Sequence, residues 1–412
     1  MSRCGLSAPV THRAPALFPL PLPLLESGRQ RTYLLEMSRT AERTDKIPIY
    51  RIADFEGQGR FVDKLQVGSD AASVVSNIRR LFSDKRYAGG HRSLSVRWVQ
   101  TEQFRAAART PRGQADDHEI LISYGAAYEL YKDAFIFTQI CENHFSTPHY
   151  DSFFEAIRSG EGRDPVIPGG LDADGAKSLM FEISVAWLYL HEQSHLFQGH
   201  TAIASESAPA VAAEAAIEEL DADGSATLAG EDAAVSHAFE LSADHEATSL
   251  VVQYLMYRDG GALKTGSAWL MVAALMCMFQ RFYGGKGGPV EDTAEGTHPN
   301  PGFRMRMAVL QIQELLDHPK VQQFVPWAES RERVFDLLHH AVICASVFWE
   351  LRYRQDEGFP AFMRHGFEEE TPASYRGQLS DTWNDLRPRV LERYFGWGED
   401  TILPPLKPDW LA

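Results

Sequence analysis

Two histidines four residues apart, His191 and His195, bracket a glutamate, Glu192, at the end of an apolar run over residues 180–190. On an α-helix, residues i and i+4 lie one above the other on the same face, so both imidazoles can reach one metal ion. Glu192 lies about 100° further round the helix, by the 3.6-residue turn, so its carboxylate stands beside such an ion rather than on it. A cation held this way can activate water, and the adjacent carboxylate can take the proton that water gives up.

His-Glu-x-x-His on a helix is the arrangement of zinc hydrolases, but catalytic zinc takes three protein ligands and keeps a fourth position for water. His200 continues the motif as His-Glu-x-x-His-x-x-x-Gly-His. The metzincin pattern requires Gly and His where this chain has Gln198 and Thr201. If the helix continued, His200 would point away from His191, and a surface or helix-capping place is expected for it. His237 and His245 are possible ligands that no pattern recommends. Glu240 is the best candidate. It opens Glu240-Leu241-Ser242-Ala243-Asp244, a carboxylate at each end of one helical turn. Glu240 binds the metal in this reading, and Asp244 reaches the outer nitrogen of a ligating histidine and fixes its tautomer. Phe239, Leu241, Ala243 and Ala247 make that helix largely apolar, so an acid pair on it needs a partner.

The elements that must position these groups belong to a mainly α (α+β) chain of 412 residues, long enough for one large domain or two ordinary ones. Four regions are expected: residues 1–36, a disordered tail or a start placed too early; 37–117, a small mixed α/β region; 118–320, the catalytic domain; and 321–412, a helical C-terminal region. Residues 70–82 and 126–145 have helical spacing, with Tyr128, Tyr131, Phe135 and Phe137 expected in the core. Residues 93–99 alternate as a strand, and residues 119–124 form a short apolar one. Asp174 is expected to cap the helix carrying His191. Residues 201–232 are Ala/Glu-rich and weakly helical. Helices follow over residues 233–257, 304–316, 331–353 and 375–394. The glycine loop over residues 284–288 is a candidate lid. Asp-Ala-Asp-Gly occurs at residues 172–175 and 221–224, but neither copy has the Gly and Glu of a calcium loop.

A net charge of −16 argues against a nucleic-acid partner, which needs a cationic face. Cys4, Cys141, Cys277 and Cys344 are widely spaced, which speaks against a disulfide framework or a cysteine zinc site and suits a reducing, cytoplasmic setting. The apolar run over residues 268–279 is shorter than the ~20 residues a bilayer requires, and residues 334–349 are interrupted by Asp336, His339 and His340. No membrane span is expected. The sequence carries no signature of an oligomeric state.

Three segments in order resemble the gluzincin metallopeptidases, in particular the HtpX/Oma-type branch. They are His191 to His195, Glu240 to Asp244, and Thr297-His298-Pro299 followed by Arg304. The resemblance covers roughly residues 177–310. It implies a zincin-like helical core, Zn2+ on His191, His195 and Glu240, Glu192 as general base, His298 near the substrate carbonyl, Arg304 bracing the site, and a peptide or protein substrate. Gln193 and Ser194 are more polar than the residues usual in that branch, and the membrane spans of many relatives are missing. The phage-exclusion Lit peptidases are a more distant resemblance, through the first motif alone. A metal-binding sensor or scaffold that cleaves nothing is the alternative.

Overall fold

The fold is built round one 25-residue helix, α4 (Ala173–Phe197), which is buried on every side over about its last four turns. Such a helix must be surrounded by other elements. In chain order these are α1 (Lys64–Ile78), which runs through a π-helical turn (Arg79–Ser83) into α2 (Asp84–Tyr87), then strands β1 (Ser93–Val99), β2 (Arg105–Thr110) and β3 (Asp117–Ser123). Next come α3 (Tyr124–Ile140) with a second π-helical turn (Cys141–Phe145), α4, α5 (His200–Ser207), β4 (Ala215–Leu220) and α6 (Gly230–Arg258). The chain closes with α7 (Thr265–Phe282), α8 (Pro301–Asp317), α9 (Pro319–Gln322), α10 (Arg331–Tyr353) and α11 (Ala373–Arg393). The computed structural model describes residues 63–111, 116–145, 166–207, 215–220, 228–282, 290–353 and 370–411. The glycine loop over residues 284–288, the expected tail over residues 1–36 and the second Asp-Ala-Asp-Gly lie outside them.

The chain is mostly helical, with one four-stranded sheet ordered β1-β3-β2-β4. β1 runs parallel to β3, while β2 is antiparallel to both β3 and β4. The alternation of Leu94, Val96 and Trp98 holds: Leu94 is buried, and the other two pack on the core. One strand, β2, carries no expectation from the sequence, and another, β4, departs from it. β2 contains Ala106-Ala107-Ala108, and β4 lies in the stretch expected to be weakly helical. Alanine and glutamate favour helix on their own, but each segment is held by a ladder to a neighbouring strand, and tertiary pairing outweighs a propensity of this size. The aromatic expectation for α3 holds in part. Phe137 is fully buried, and Tyr131 and Phe135 pack against the core. Tyr128 instead lies under the ammonium groups of Lys64 and Lys132.

α4 starts at Asp172, whose side chain accepts from the Gly175 N–H at 2.7 Å. Asp172, rather than Asp174, is therefore the cap; Asp174 sits in the first turn and pairs with Lys177. α4 packs against α1, α3, α6, α7 and the sheet. One large apolar cluster runs from Val67 of α1 to Trp349 of α10. A smaller one joins α6, α8, α11 and the C-terminal segment. α6 contributes to both, to the smaller through Leu241 and to the larger from Ala247 onward. The turn bearing Glu240 and Asp244 lies where the helix passes from one to the other. Among the described residues no helix is long and apolar enough to cross a membrane.

Candidate metal centre

Three elements bring the candidate residues together. α4 carries His191, Glu192 and His195, which have no solvent exposure. α6 carries Glu240 and Asp244, both buried. α8 supplies Arg304 one turn in from its cap, where Asn300 accepts from the N–H groups of Gly302 and Phe303 and Pro301 occupies the first helical position. Proline there loses no hydrogen bond, because that N–H has no partner within the helix. The segment leading into α8 is tied to α6, since Ser236 Oγ donates to the Thr297 carbonyl at 2.6 Å and His237 Nε2 lies 3.2 Å from the Glu295 carbonyl. This tether places His298 beside Glu240, with Nε2 3.8 Å from Oε2.

The ligand atoms converge as the i,i+4 spacing predicts. The two Nε2 atoms of His191 and His195 lie 3.1 Å apart. Glu240 Oε2 is 3.4 Å from His191 Nε2, and Oε1 is 3.5 Å from His195 Nε2. Zinc–nitrogen and zinc–oxygen bonds of about 2.0–2.2 Å imply tetrahedral ligand–ligand edges of about 3.3–3.6 Å; the two nitrogen–oxygen separations, one to each carboxylate oxygen, fall in that range, and the nitrogen–nitrogen separation is slightly shorter. The donor set of two imidazoles and one carboxylate suits zinc chemically. The group His191, His195 and Glu240 is thus a buried triad that can hold a metal ion.

A layer of supporting contacts fixes each ligand. Asp244 Oδ1 is 3.0 Å from His191 Nδ1, the role expected of it. Arg304 clamps Asp244 with Nε on Oδ2 and Nη2 on Oδ1, each at 2.8 Å, and extends Nη2 to Glu240 Oε2 at 3.2 Å. Burial by itself would raise the Asp244 carboxyl, but the Arg304 guanidinium and the His191 imidazole outweigh it and hold that carboxyl below its usual range. Trp187 stacks on the His191 ring at 5.0 Å and anchors its own N–H on the Thr248 hydroxyl at 3.2 Å. His298 Nδ1 is 2.7 Å from the Thr297 hydroxyl. If that hydroxyl donates, a neutral His298 carries its proton on Nε2, the nitrogen facing Glu240.

His200 does not lie at the surface. It is fully buried, its ring stacks on Phe239 at 4.2 Å, and its Nδ1 is 3.0 Å from Nδ1 of His195. The expectation failed because it continued the helix through Gly199. That glycine has φ +68 and turns the chain, so α5 starts afresh at His200. A glycine at this point is a common helix stop and was the available signal. His237 and His245 are engaged elsewhere and are not part of the triad. The first bonds Tyr375 and the Glu295 carbonyl, the second the Thr401 carbonyl.

The polar residues inside the motif also have partners. Gln193 accepts a hydrogen bond from Ser83 on the first π-helical turn, and Ser194 Oγ donates to the Leu190 carbonyl at 2.8 Å. Behind the site, Gln198 Nε2 donates to Glu246 Oε2 at 2.8 Å, and the Tyr394 hydroxyl donates to Oε1 at 2.7 Å. Burial pushes the Glu246 carboxyl up to about 7, against these hydrogen bonds.

No protein-family model, no curated protein and no solved structure matches the chain. The gluzincin resemblance therefore rests on the three motif segments of the sequence alone.

Proposed function

We propose that this chain is a zinc-dependent peptidase of the gluzincin kind, with a zincin-like helical core, acting on peptide or protein substrates within the cytoplasm. The observation that carries the proposal is the triad itself: two imidazole nitrogens and a carboxylate, all buried, gathered within 3.1–3.5 Å of one another. His191, His195 and Glu240 hold the ion. Zinc, when bound, supplies Lewis acidity, lowering the pKa of water toward about 7 and polarising a carbonyl.

Glu192 takes the proton from the attacking water. The oxygen adds to the scissile carbonyl carbon, and His298 donates from Nε2 to the oxyanion that develops. The carbon–nitrogen bond then breaks, and Glu192 returns the proton to the leaving amine. Arg304 and Asp244 hold Glu240 and His191 in place throughout. The three buried cysteines in the described residues, Cys141, Cys277 and Cys344, are all free thiols, as a reducing compartment requires.

One observation favours a second reading. The ligands and Glu192 are sealed from solvent, and the His298 side chain is only 18% exposed. A closed site of this kind suits a metal-holding sensor or scaffold that cleaves nothing. Cleavage of a mixed peptide library separates the two. The peptidase reading predicts chelator-sensitive products and, for Glu192→Gln, a loss of about 10²–10⁴-fold in rate with zinc still bound. A variant that keeps full activity contradicts the assigned base, and a zinc-loaded wild type that yields no products supports the scaffold.

A further inference from the structure

The two histidines of the triad are supported by unlike partners. Behind His191 stands a carboxylate, Asp244, itself clamped by a guanidinium. Behind His195 stands an imidazole, His200, at 3.0 Å between the two Nδ1 atoms. A nitrogen–nitrogen contact of this length between two rings holds one proton: one Nδ1 donates and the other accepts. If His195 gives its Nε2 lone pair to a cation, its proton sits on Nδ1, and His200 must be the acceptor.

We propose that His200 is a positioning residue: its Nδ1 accepts the Nδ1–H of His195 and so keeps the Nε2 lone pair of His195 aimed at the metal. This inference rests on the metal-binding reading above. The His200 ring is placed for the task by the chain reversal at Gly199, by stacking on Phe239 at 4.2 Å, and by an edge-on contact with the His195 ring at 5.1 Å between centroids. The His200 ring is fully buried, and an imidazole can accept only in its neutral form. The choice of a neutral partner has an electrostatic consequence. Glu192, Glu240 and Asp244 contribute three carboxylates and Arg304 one guanidinium, which together match one divalent cation. A carboxylate in place of His200 adds a further negative charge to a buried set that is already balanced.

The test measures Zn2+ affinity of the full chain by competition with a chromophoric chelator, for wild type, His200→Phe and His200→Asn. Phenylalanine keeps the stacking and loses the acceptor; asparagine restores an acceptor oxygen near the position of Nδ1. His200→Phe is expected to weaken zinc by about 10–100-fold, the usual effect of losing a partner behind a ligand, and His200→Asn to recover most of it. Equal affinity in wild type and His200→Phe overturns the positioning role while leaving the metal site standing. A wild type that binds no Zn2+ overturns the metal site and this inference with it. Should His200→Phe fail to fold, nitrogen-15 spectra of histidine-labelled, zinc-loaded wild type decide the matter. The expected pattern is a protonated Nδ1 on His195 and a bare Nδ1 on His200; the reverse pattern contradicts the proposal.

Discussion

Among the described residues, two of the buried polar clusters are built on opposite principles. On α3, α7 and α10, Asp133 accepts from Arg281 Nε at 3.1 Å and Nη2 at 2.7 Å and from Arg352, while Glu129 meets Arg281 Nη1 at 3.2 Å. Donors face acceptors and charges of opposite sign alternate, so the cluster completes itself from within the chain. At the triad, by contrast, two imidazole nitrogens and a carboxylate converge on one another at 3.1–3.5 Å. These are groups that offer lone pairs, with one guanidinium, that of Arg304, against Asp244 and Glu240 Oε2. Burying polar groups is costly unless partners compensate. The first arrangement ties helices together, and the second has the form of a socket for a cation.

Substitution at the two clusters should break this comparison apart most sharply. Glu240→Ala is expected to lose stoichiometric zinc by metal analysis while the chain stays folded. Asp133→Ala should do the reverse, costing about 3–5 kcal/mol in a denaturant titration, as breaking a buried pair does, with one zinc per chain retained. If both variants lose zinc equally, the distinction between the clusters fails.

A smaller effect is expected from Asp244→Asn. The residue stands behind His191, so the variant should weaken zinc by about 10–100-fold in the same chelator competition and leave the fold intact. Unchanged affinity would show that Arg304 and the packing of Trp187 suffice to hold His191.

Glu246 is a third kind of buried acid, held by neutral donors such as the Gln198 amide and the Tyr394 and Thr401 hydroxyls. Its carboxyl is pushed from 4.5 up to about 7 by burial. A group that binds its proton more tightly when folded stabilises the fold at low pH, and that stability is lost as pH rises from about 4.5 through about 7. Glu246→Gln should therefore gain about 2 kcal/mol relative to wild type between pH 5 and pH 8, read from denaturant midpoints at the two pH values. A pH-independent difference would mean that the carboxyl titrates normally.

The parts of this site that could be read in the sequence are those set by helix periodicity. His191 and His195 share a face because they are one turn apart, and Glu240 and Asp244 likewise, so each pair was legible before any packing was known. That the two pairs meet is a matter of tertiary packing, and only the order of three motif segments pointed to it. His200 was misjudged because a local rule, helix continuation, was carried past Gly199, where the backbone reverses. β2 and β4 were missed for a related reason. Their alanines and glutamates favour helix locally, and only the neighbouring strands make them extended. The self-completing cluster was invisible as well, since Asp133, Arg281 and Arg352 are far apart in the chain and carry no spacing signature.

X-ray absorption at the zinc edge of the full-length wild-type chain tests the central claim most directly. One tightly held zinc is predicted, with two imidazole nitrogens and a carboxylate oxygen among its neighbours at about 2.0–2.2 Å. A chain that takes up no zinc, or one whose zinc has sulfur neighbours, would contradict the assignment of His191, His195 and Glu240.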